Sequence, residues 1–336
     1  MPLRIAFAGT GWACRVHARA GRVCAGAELA AVVNHKPESR AAFAADYDIP
    51  RQYATVEDLL ADGSADAVVI GTPNFLHAPQ AVAALRAGLH VMVEKPMAMN
   101  AAEARGMVEA AASSTALLMI AHCFRFHPEL VWLREQLAAG RLGRIIRTKG
   151  YGVHVAWGPS GWFSERNLAG GGALADMGVH AIDAARFLLG DPQPDSVYAR
   201  VGTHYGGYDV DDTGVILVNW QGGVTSYVES GWWQPYSDGP CAATHVYGTL
   251  GFGQVFPTEL MLRESPGAEP VRVPCGISLD RVHHPPQSVY DAQMAHFVTC
   301  IREGCQPSPG GADGLASMRV LDAAYESARS GRVVNL

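Results

Sequence analysis

The sequence predicts an α/β protein of two domains. The N-terminal one (1–122) is built on a parallel sheet, and the C-terminal one (123–336) is α+β with a large, mainly antiparallel open sheet. Three observations carry that expectation. The chain has 336 residues, 49% of them hydrophobic and 17% charged, enough to fill two cores of ordinary domain size. Its first third alternates short apolar runs with helical spacing, the rhythm of a βαβ series. Beyond Ile145, strand-like runs follow one another with few helices between them, as antiparallel strands can.

Leu3–Ala8 reads as a buried strand and Ala13–Ala25 as the helix after it. Glu28–Val33 is the next strand, Ser39–Tyr47 and Val56–Leu60 are helices, and Ala67–Ile70 is a strand of β-branched residues. A helix over Pro79–Ala87 stops at Gly88, His90–Glu94 is a strand, and Ala101–Ala112 and Ala116–Ala121 add a helix and a strand. The pattern changes there, which puts the boundary near residue 122. Pro128–Leu137 has helical spacing and ends near Gly140. Strands are expected over Ile145–Val153, Ser196–Gly202, Thr213–Trp220, Thr225–Trp232, His245–Gly248 and Pro257–Arg263. One helix, Leu174–Leu188, interrupts them, and helices over Val289–Arg302 and Gly314–Arg329 follow. No internal repeat or low-complexity linker stands out.

A formal net charge of −6 argues against nucleic acid as a partner, while leaving room for a single bound phosphate. The seven cysteines (Cys14, Cys24, Cys123, Cys241, Cys275, Cys300, Cys305) are odd in number, widely spaced and without a C-x-x-C pair. Neither a zinc knuckle nor a dithiol redox site is readable from them, and reduced thiols in a cytoplasmic protein are the expectation. The N-terminus enters its first strand without the charged and apolar regions of a signal peptide. No apolar run approaches the roughly 20 residues that span a bilayer, so no membrane partner is expected.

Gly9-Thr10-Gly11 follows the first strand and opens a helix. Glycines there let the turn close and let the backbone approach a pyrophosphate at the helix N-terminus. Cys14 stands where a third glycine is usual. Asn34 ends the second strand 23 residues after Gly11, where an NAD site has an acidic residue for the ribose hydroxyls. Asn34 carries no charge to repel a 2′-phosphate, and Lys36 and Arg40 can bind one, so NADP is the expected cofactor and NAD the alternative. The plain reading of Lys36 and Arg40 is as solvated turn and helix residues. Thr72 and Asn74 follow the third main strand and are expected to line the cofactor. Trp12 packs on the ribose or nicotinamide in this reading, and His77 either joins the cofactor site or starts a helix.

Several segments together resemble the Gfo/Idh/MocA family of oxidoreductases. They are Ile70-Gly-Thr-Pro-Asn74 with His77, Val91-Met-Val-Glu94-Lys95-Pro96, Arg125-Phe126-His127-Pro128, Gly171 through Asp176 to His180 and Asp183, and Gly311–Gly314 with Ala323–Ser327. The resemblance implies a Rossmann domain followed by an α+β domain whose open sheet forms an oligomer interface, hence a homodimer or homotetramer. It implies Lys95 at the nicotinamide beside Glu94, a cis bond before Pro96, His180 as acid/base and Asp176 as its neighbour in the substrate pocket. The implied reaction moves a hydride between NADP or NAD and a secondary alcohol or ketone of a sugar, inositol or related polyol. Two other readings exist on such a fold: an NAD-dependent glycosidase and a non-catalytic dinucleotide-sensing regulator. Cys14 and Asn34 depart from the family pattern, and the second leaves cofactor choice open.

These residue types suit the chemistry. Oxidising an alcohol needs a base with a pKa near neutrality within hydrogen-bond reach of the hydroxyl, and histidine meets that unperturbed. His180 lies four residues after Asp176, so one helix face presents both. A strand-end ammonium at Lys95 can stabilise a developing alkoxide. Each has a plainer reading, Lys95 as a surface lysine and Asp176–His180 as a structural pair. Tyr151, His154, Trp157 and Trp162 precede the catalytic helix as a candidate aromatic, hydroxyl-binding wall. Trp232 and Trp233 either extend it or pack in the sheet. Arg125 reads as an ion-pair residue and Asp183 as a supporting partner. No metal is expected, since no cysteine or further histidine stands at ligand spacing around Asp176, His180 and Asp183.

Overall fold

The computed structural model of the chain describes residues 1–234, 242–265, 267–277, 279 and 285–336. These group into two compact units, Met1–Cys123 with Gln287–Leu315 and Phe124–Pro286 with Ala316–Leu336.

In the first unit, strands β1 (Leu3–Ala8), β2 (Ala27–Val33), β3 (Arg51–Tyr53), β4 (Ala67–Ile70), β5 (His90–Val93) and β6 (Leu118–Ile120) form a sheet ordered β3-β2-β1-β4-β5-β6. Every pairing in it is parallel. Helices α1 (Trp12–Val23), α2 (Pro37–Tyr47), α3 (Val56–Asp62), α4 (His77–Arg86) and α5 (Ala101–Ala112) connect the strands. Ile5 to Ala8 and all of β4 are fully buried, which is why these strands read as continuous apolar runs rather than alternating ones. The strand order reverses between β1 and β4, the switch point at whose carboxyl ends such sheets bind ligands. Strand β3 is absent from the sequence expectation. It is a three-residue edge strand whose Arg51 and Gln52 are exposed, so it carries no apolar pattern.

The second unit holds α6 (Pro128–Ala138), β7 (Ile145–Val153), the single turn α7 (Arg166–Ala169), α8 (Val179–Leu188), β8 (Pro194–Gly202), β9 (Thr213–Trp220) and β10 (Thr225–Gly231). It continues through β11 (Ala242–Gly248), β12 (Gly251–Gln254), β13 (Glu259–Leu262) and β14 (Val271–Pro274). With the terminal strand β15 (Val334–Asn335) these make one nine-stranded sheet, ordered β14-β13-β12-β11-β7-β10-β9-β8-β15. Its pairings are antiparallel except β7 with β10, which is parallel. The sheet has a packed face and an open one. Ile216 and Val218 of β9 are buried, while Val215 and Leu217, alternating with them, are 41% and 39% exposed. On the packed side, Ala184, Phe187 and Leu188 of α8 join Leu130 and Leu133 of α6 and Val246 and Leu260 of the sheet in one core.

Helix α9 (Gln287–Glu303) belongs to the first unit, not the second. Gln287 donates to the Val16 carbonyl at 3.0 Å, and the Tyr290 ring meets Trp12 and His17 edge-on. The segment after it reaches the sheet edge, where Ile120 N–H donates to the Pro309 carbonyl at 3.1 Å. Helix α10 (Gly311–Ser330) begins in the first unit and ends in the second, where Ser327 Oγ accepts the Ala199 N–H. A single boundary near residue 122 therefore differs from these compact units. An amphipathic helix carries no sequence mark of which partner its apolar face will meet.

No helix among the described residues is long and apolar enough to cross a membrane. The six described cysteines are free thiols, and Cys241 lies outside the described residues.

Candidate active site

At the carboxyl end of β1, Gly9 turns at φ 110°, and a Cβ there would stand 2.6 Å from the Gly71 carbonyl oxygen. Backbone conformation and close approach each demand glycine. Gly11 caps α1, and no atom lies within 4 Å of where its Cβ would be. The first turn of α1 carries no acidic side chain, so nothing there competes with an anion for the positive helix end. Cys14 is buried with its Sγ donating to the Ala8 carbonyl at 3.4 Å. A Cβ on Gly71 would come within 2.8 Å of that sulfur, so the smallest residue on the strand end offsets the larger one in the helix. Burial pushes the thiol pKa up and keeps it neutral beside the phosphate-binding turn. These residues fit a dinucleotide.

Around them, Trp12 opens α1 and is 53% exposed, supported edge-on by Tyr290 at 5.9 Å. The Asn34 amide donates to Thr10 Oγ1 at 2.8 Å and its oxygen accepts the Lys36 N–H at 2.9 Å. Arg40 donates to the Asn34 carbonyl at 2.6 Å, while Lys36 is exposed just before α2. Thr72 donates to Gln80 at 2.9 Å, and Asn74 is buried. His77 starts α4 and is buried with Nδ1 2.9 Å from the Pro96 carbonyl and Nε2 2.8 Å from the Thr72 carbonyl. It clamps the loop after β4 to the one after β5. Burial lowers its pKa even though both carbonyls favour the protonated ring.

At the end of β5, Glu94 is held from two sides. Its Oε1 pairs with His17 Nε2 at 2.7 Å and its Oε2 accepts the Lys95 N–H at 3.1 Å. Burial raises the carboxyl pKa, but the hydrogen bond and charge of His17, with the charge and N–H of Lys95, outweigh it and hold Glu94 below the usual range. Lys95 is half-buried and joined to Pro96 by a cis bond. Beside this group, burial pushes the Cys123 thiol up to about 12, next to the Tyr290 hydroxyl.

In the second unit, Asp176 does not sit on a regular α-helix. The expected helix Leu174–Leu188 divides into a π-turn, Leu174–Gly178, and α8. Its approaches are crowded. A Cβ on Gly172 would be 1.8 Å from the Asp211 carbonyl oxygen, one on Gly171 2.0 Å from the Tyr325 hydroxyl, and one on Gly152 2.0 Å from the Met177 carbonyl oxygen. The buried Asp211 carboxyl then pins the segment. Its Oδ1 accepts from Gly172 N–H and the Tyr325 hydroxyl, both at 2.9 Å, and its Oδ2 accepts from Leu174 N–H at 2.8 Å. Burial pushes the Asp211 pKa up against those hydrogen bonds.

The Asp176 carboxylate is thereby brought to Trp232 and His154. Its Oδ2 accepts from the Trp232 indole at 3.0 Å and lies 3.2 Å from His154 Nε2. Trp232 is fully buried, so it is core and carboxylate donor at once. His154 is buried and stacks on Trp157 at 3.7 Å. His180, the second residue of α8, is 9% exposed and meets the Phe124 ring edge-on at 5.2 Å. Trp162 stacks on Phe163 at 3.8 Å, Tyr151 lies half-buried on β7, and Trp233 is 38% exposed. Arg125 and Asp183 form a buried ion pair at 2.7 Å, and Arg125 also reaches Asp191 at 2.9 Å. Among the described residues no group of three His, Cys, Asp or Glu is placed to hold a metal ion.

Sequence reasoning missed His17, Tyr290 and Asp211. His17 left a trace, as a histidine three residues after Cys14 on the inner face of α1. Asp211 and Tyr290 meet their partners across long stretches of chain and left none.

Comparison with known proteins fixes the class first: this is an NAD(P)-dependent oxidoreductase acting on CH–OH groups. Residues 3–122 match a family model described as an oxidoreductase family with an NAD-binding Rossmann fold. Residues 130–252 match a GFO/IDH/MocA C-terminal domain, and 282–336 an oxidoreductase-family C-terminal alpha/beta domain. The chain belongs to the Gfo/Idh/MocA family. It is 31% identical over 314 residues to the 1,5-anhydro-D-fructose reductase of Ensifer adhaerens, covering 93% of this chain and 92% of that one. It is 33% identical over 310 residues to the D-xylose 1-dehydrogenase (NADP(+)) 2 of Haloferax volcanii, covering 91% and 92%. The aldose-aldose oxidoreductase from Caulobacter crescentus, solved in complex with glycerol, matches with a TM-score of 0.85 and 29% identity over the whole of both chains.

Proposed function

We propose that this protein moves a hydride between NADP and a secondary alcohol or ketone on a sugar or polyol, using Lys95, Asp176 and His180. The observation that carries the reading is the half-buried Asp176 carboxylate, held by Trp232 and His154 four residues before His180. The names of the relatives in Ensifer, Haloferax and Caulobacter support the sugar class. When bound, the nicotinamide supplies the hydride acceptor or donor. Gly9, Gly11 and Trp12 hold its pyrophosphate and ribose side, Thr72, Asn74, His77 and Glu94 its nicotinamide side. Asn34, Lys36 and Arg40 take the 2′-phosphate. The uncharged Asn34 and the NADP in the Haloferax relative's name favour that choice.

His180 accepts the hydroxyl proton in the oxidative direction and returns it in the reductive one. Lys95 stabilises negative charge on the same oxygen. Asp176 accepts a hydrogen bond from a hydroxyl of the substrate, with its own orientation fixed by Trp232. Tyr151, His154 and Trp162 line the substrate. The open face of the sheet, with Val215 and Leu217 half-exposed, serves a homodimer or homotetramer, and the protein works in the cytoplasm with its thiols reduced.

The test is turnover. Purified protein is mixed with NADP or NAD and a panel of aldoses, inositols and polyols, and reduced-nicotinamide absorbance is followed. Turnover with NADP that is lost in Lys95→Ala and His180→Ala supports the whole reading. Turnover with NAD alone keeps the chemistry and removes the 2′-phosphate assignment. Tight cofactor binding with cleavage of a glycoside and no net reduction replaces the dehydrogenase with a glycosidase.

A further inference from the structure

The C-terminal end of α9 uses none of the residues assigned above, yet it gathers two thiols and an imidazole. Its sequence is Cys300-Ile-Arg-Glu-Gly304-Cys305. Gly304 adopts φ 68°, and the Cys305 N–H donates to the Cys300 carbonyl at 3.1 Å. That is the six-to-one hydrogen bond of a Schellman motif, which brings the side chains at its two ends together, ordinarily as an apolar contact. Here both ends are cysteine. The two thiols lie close enough for Cys305 to raise the pKa of Cys300, with Cys300 buried and Cys305 exposed. His296, one turn before Cys300, places Nε2 3.5 Å from the Cys300 sulfur. The same nitrogen accepts the Ser308 N–H at 3.0 Å, so it carries a lone pair rather than a proton.

We propose that Cys300 and Cys305 are an oxidation site that closes to an intrachain disulfide when a peroxide reaches Cys305. The exposed Cys305 sulfur attacks the O–O bond of hydrogen peroxide and becomes a sulfenic acid, releasing one water. The Cys300 sulfur then attacks the Cys305 sulfur and gives up its proton. The S–S bond forms, the S–O bond breaks, and the hydroxyl leaves with that proton as a second water. Two thiols lose two electrons and two protons, and the peroxide is reduced to two waters. Division of labour follows from exposure. Burial holds the Cys300 thiol up at about 12, so Cys300 waits for its oxidised neighbour. The absence of a C-x-x-C pair hid this dithiol from the sequence, because a Schellman turn pairs positions five apart.

Trypsin cuts after Arg302, between the two cysteines. The full-length protein is treated with hydrogen peroxide, its remaining thiols are alkylated, and it is digested without reductant. The expected product is the peptide ending at Arg302 joined to the one starting at Glu303, and dithiothreitol separates them. In Cys300→Ser, Cys305 runs on to sulfinic acid. In Cys305→Ser the joined peptide is lost and Cys300 stays alkylatable. A wild-type protein in which Cys305 over-oxidises beside an intact Cys300, or in which both thiols survive, overturns the proposal.

Discussion

The turn after β1 and the π-turn before α8 do comparable work by different means. The first is made of backbone: Gly9, Gly11 and Gly71 clear space, and α1 presents N–H groups. Everything it needs lies within one stretch of chain and one close neighbour. The second is made of side chains drawn from distant positions. Asp176 depends on Trp232 and His154 for its orientation, and its turn depends on Asp211 and Tyr325. A backbone site fails by crowding, whereas a side-chain site fails by losing one member of a network.

The largest expected effect separates chemistry from binding across that divide. His180→Ala should lower kcat by about 10²–10⁴-fold, the usual worth of general acid–base help. NADP affinity, read by quenching of tryptophan fluorescence, should stay as it was. If affinity falls in step with kcat, His180 is a structural residue of α8 and the assignment of the base is wrong.

Next is the ion pair beneath that helix. Arg125 and Asp183 are each 2% exposed at the side chain and only 2.7 Å apart. Arg125→Ala leaves a buried carboxylate without its main partner and should cost about 3–5 kcal/mol in a denaturant melt. Replacing both, Arg125→Met with Asp183→Leu, should recover most of that, because an apolar pair carries no desolvation penalty. No recovery would mean that the charge itself, through Asp191 as well, organises this end of the unit.

The contrast also explains what was legible. The parallel sheet and its first helices follow from Ile5–Ala8 and Ala67–Ile70, whose apolar runs and adjoining glycines are local signals. Resemblance pointed to Asp176 and His180, but nothing near them in sequence names His154 as the neighbour of Asp176 or foretells the π-turn. The chain around that turn packs closely on distant segments, Gly152 on Met177 and Gly172 on Asp211, and periodicity cannot register that. Strand β12 was missed because Gly251 and Gly253 dilute its pattern. Packing against Leu133, Leu142 and Met261 demands those glycines, since a Cβ at either meets these residues within 3.4 Å.

A smaller effect probes the network's inner link. Trp232→Phe keeps an aromatic ring in the core and removes the indole N–H from Asp176. A hydrogen bond to a charged group is worth about 1.5–3 kcal/mol. If Asp176 acts in the reaction, part of that loss should appear as a kcat or KM change of about tenfold. A drop in melting temperature with unchanged kinetics would confine the indole to a structural role.

The smallest effect lies at the backbone-built end. Lys36 is exposed, so its contact with a 2′-phosphate falls in the range of about 0.2–1 kcal/mol for solvated pairs. Lys36→Ala should raise KM for NADP by less than about fivefold, with 1.4 kcal/mol per tenfold, and leave KM for NAD unchanged. Asn34→Asp is the sharper companion. An aspartate keeps the acceptor for the Lys36 N–H and can accept from Thr10 in turn, so the turn survives while a charge appears beside the phosphate. Preference should then move toward NAD, whose ribose hydroxyls a carboxylate can grip. If both variants shift the two cofactors equally, Asn34, Lys36 and Arg40 shape the end of β2 without reading the 2′ position.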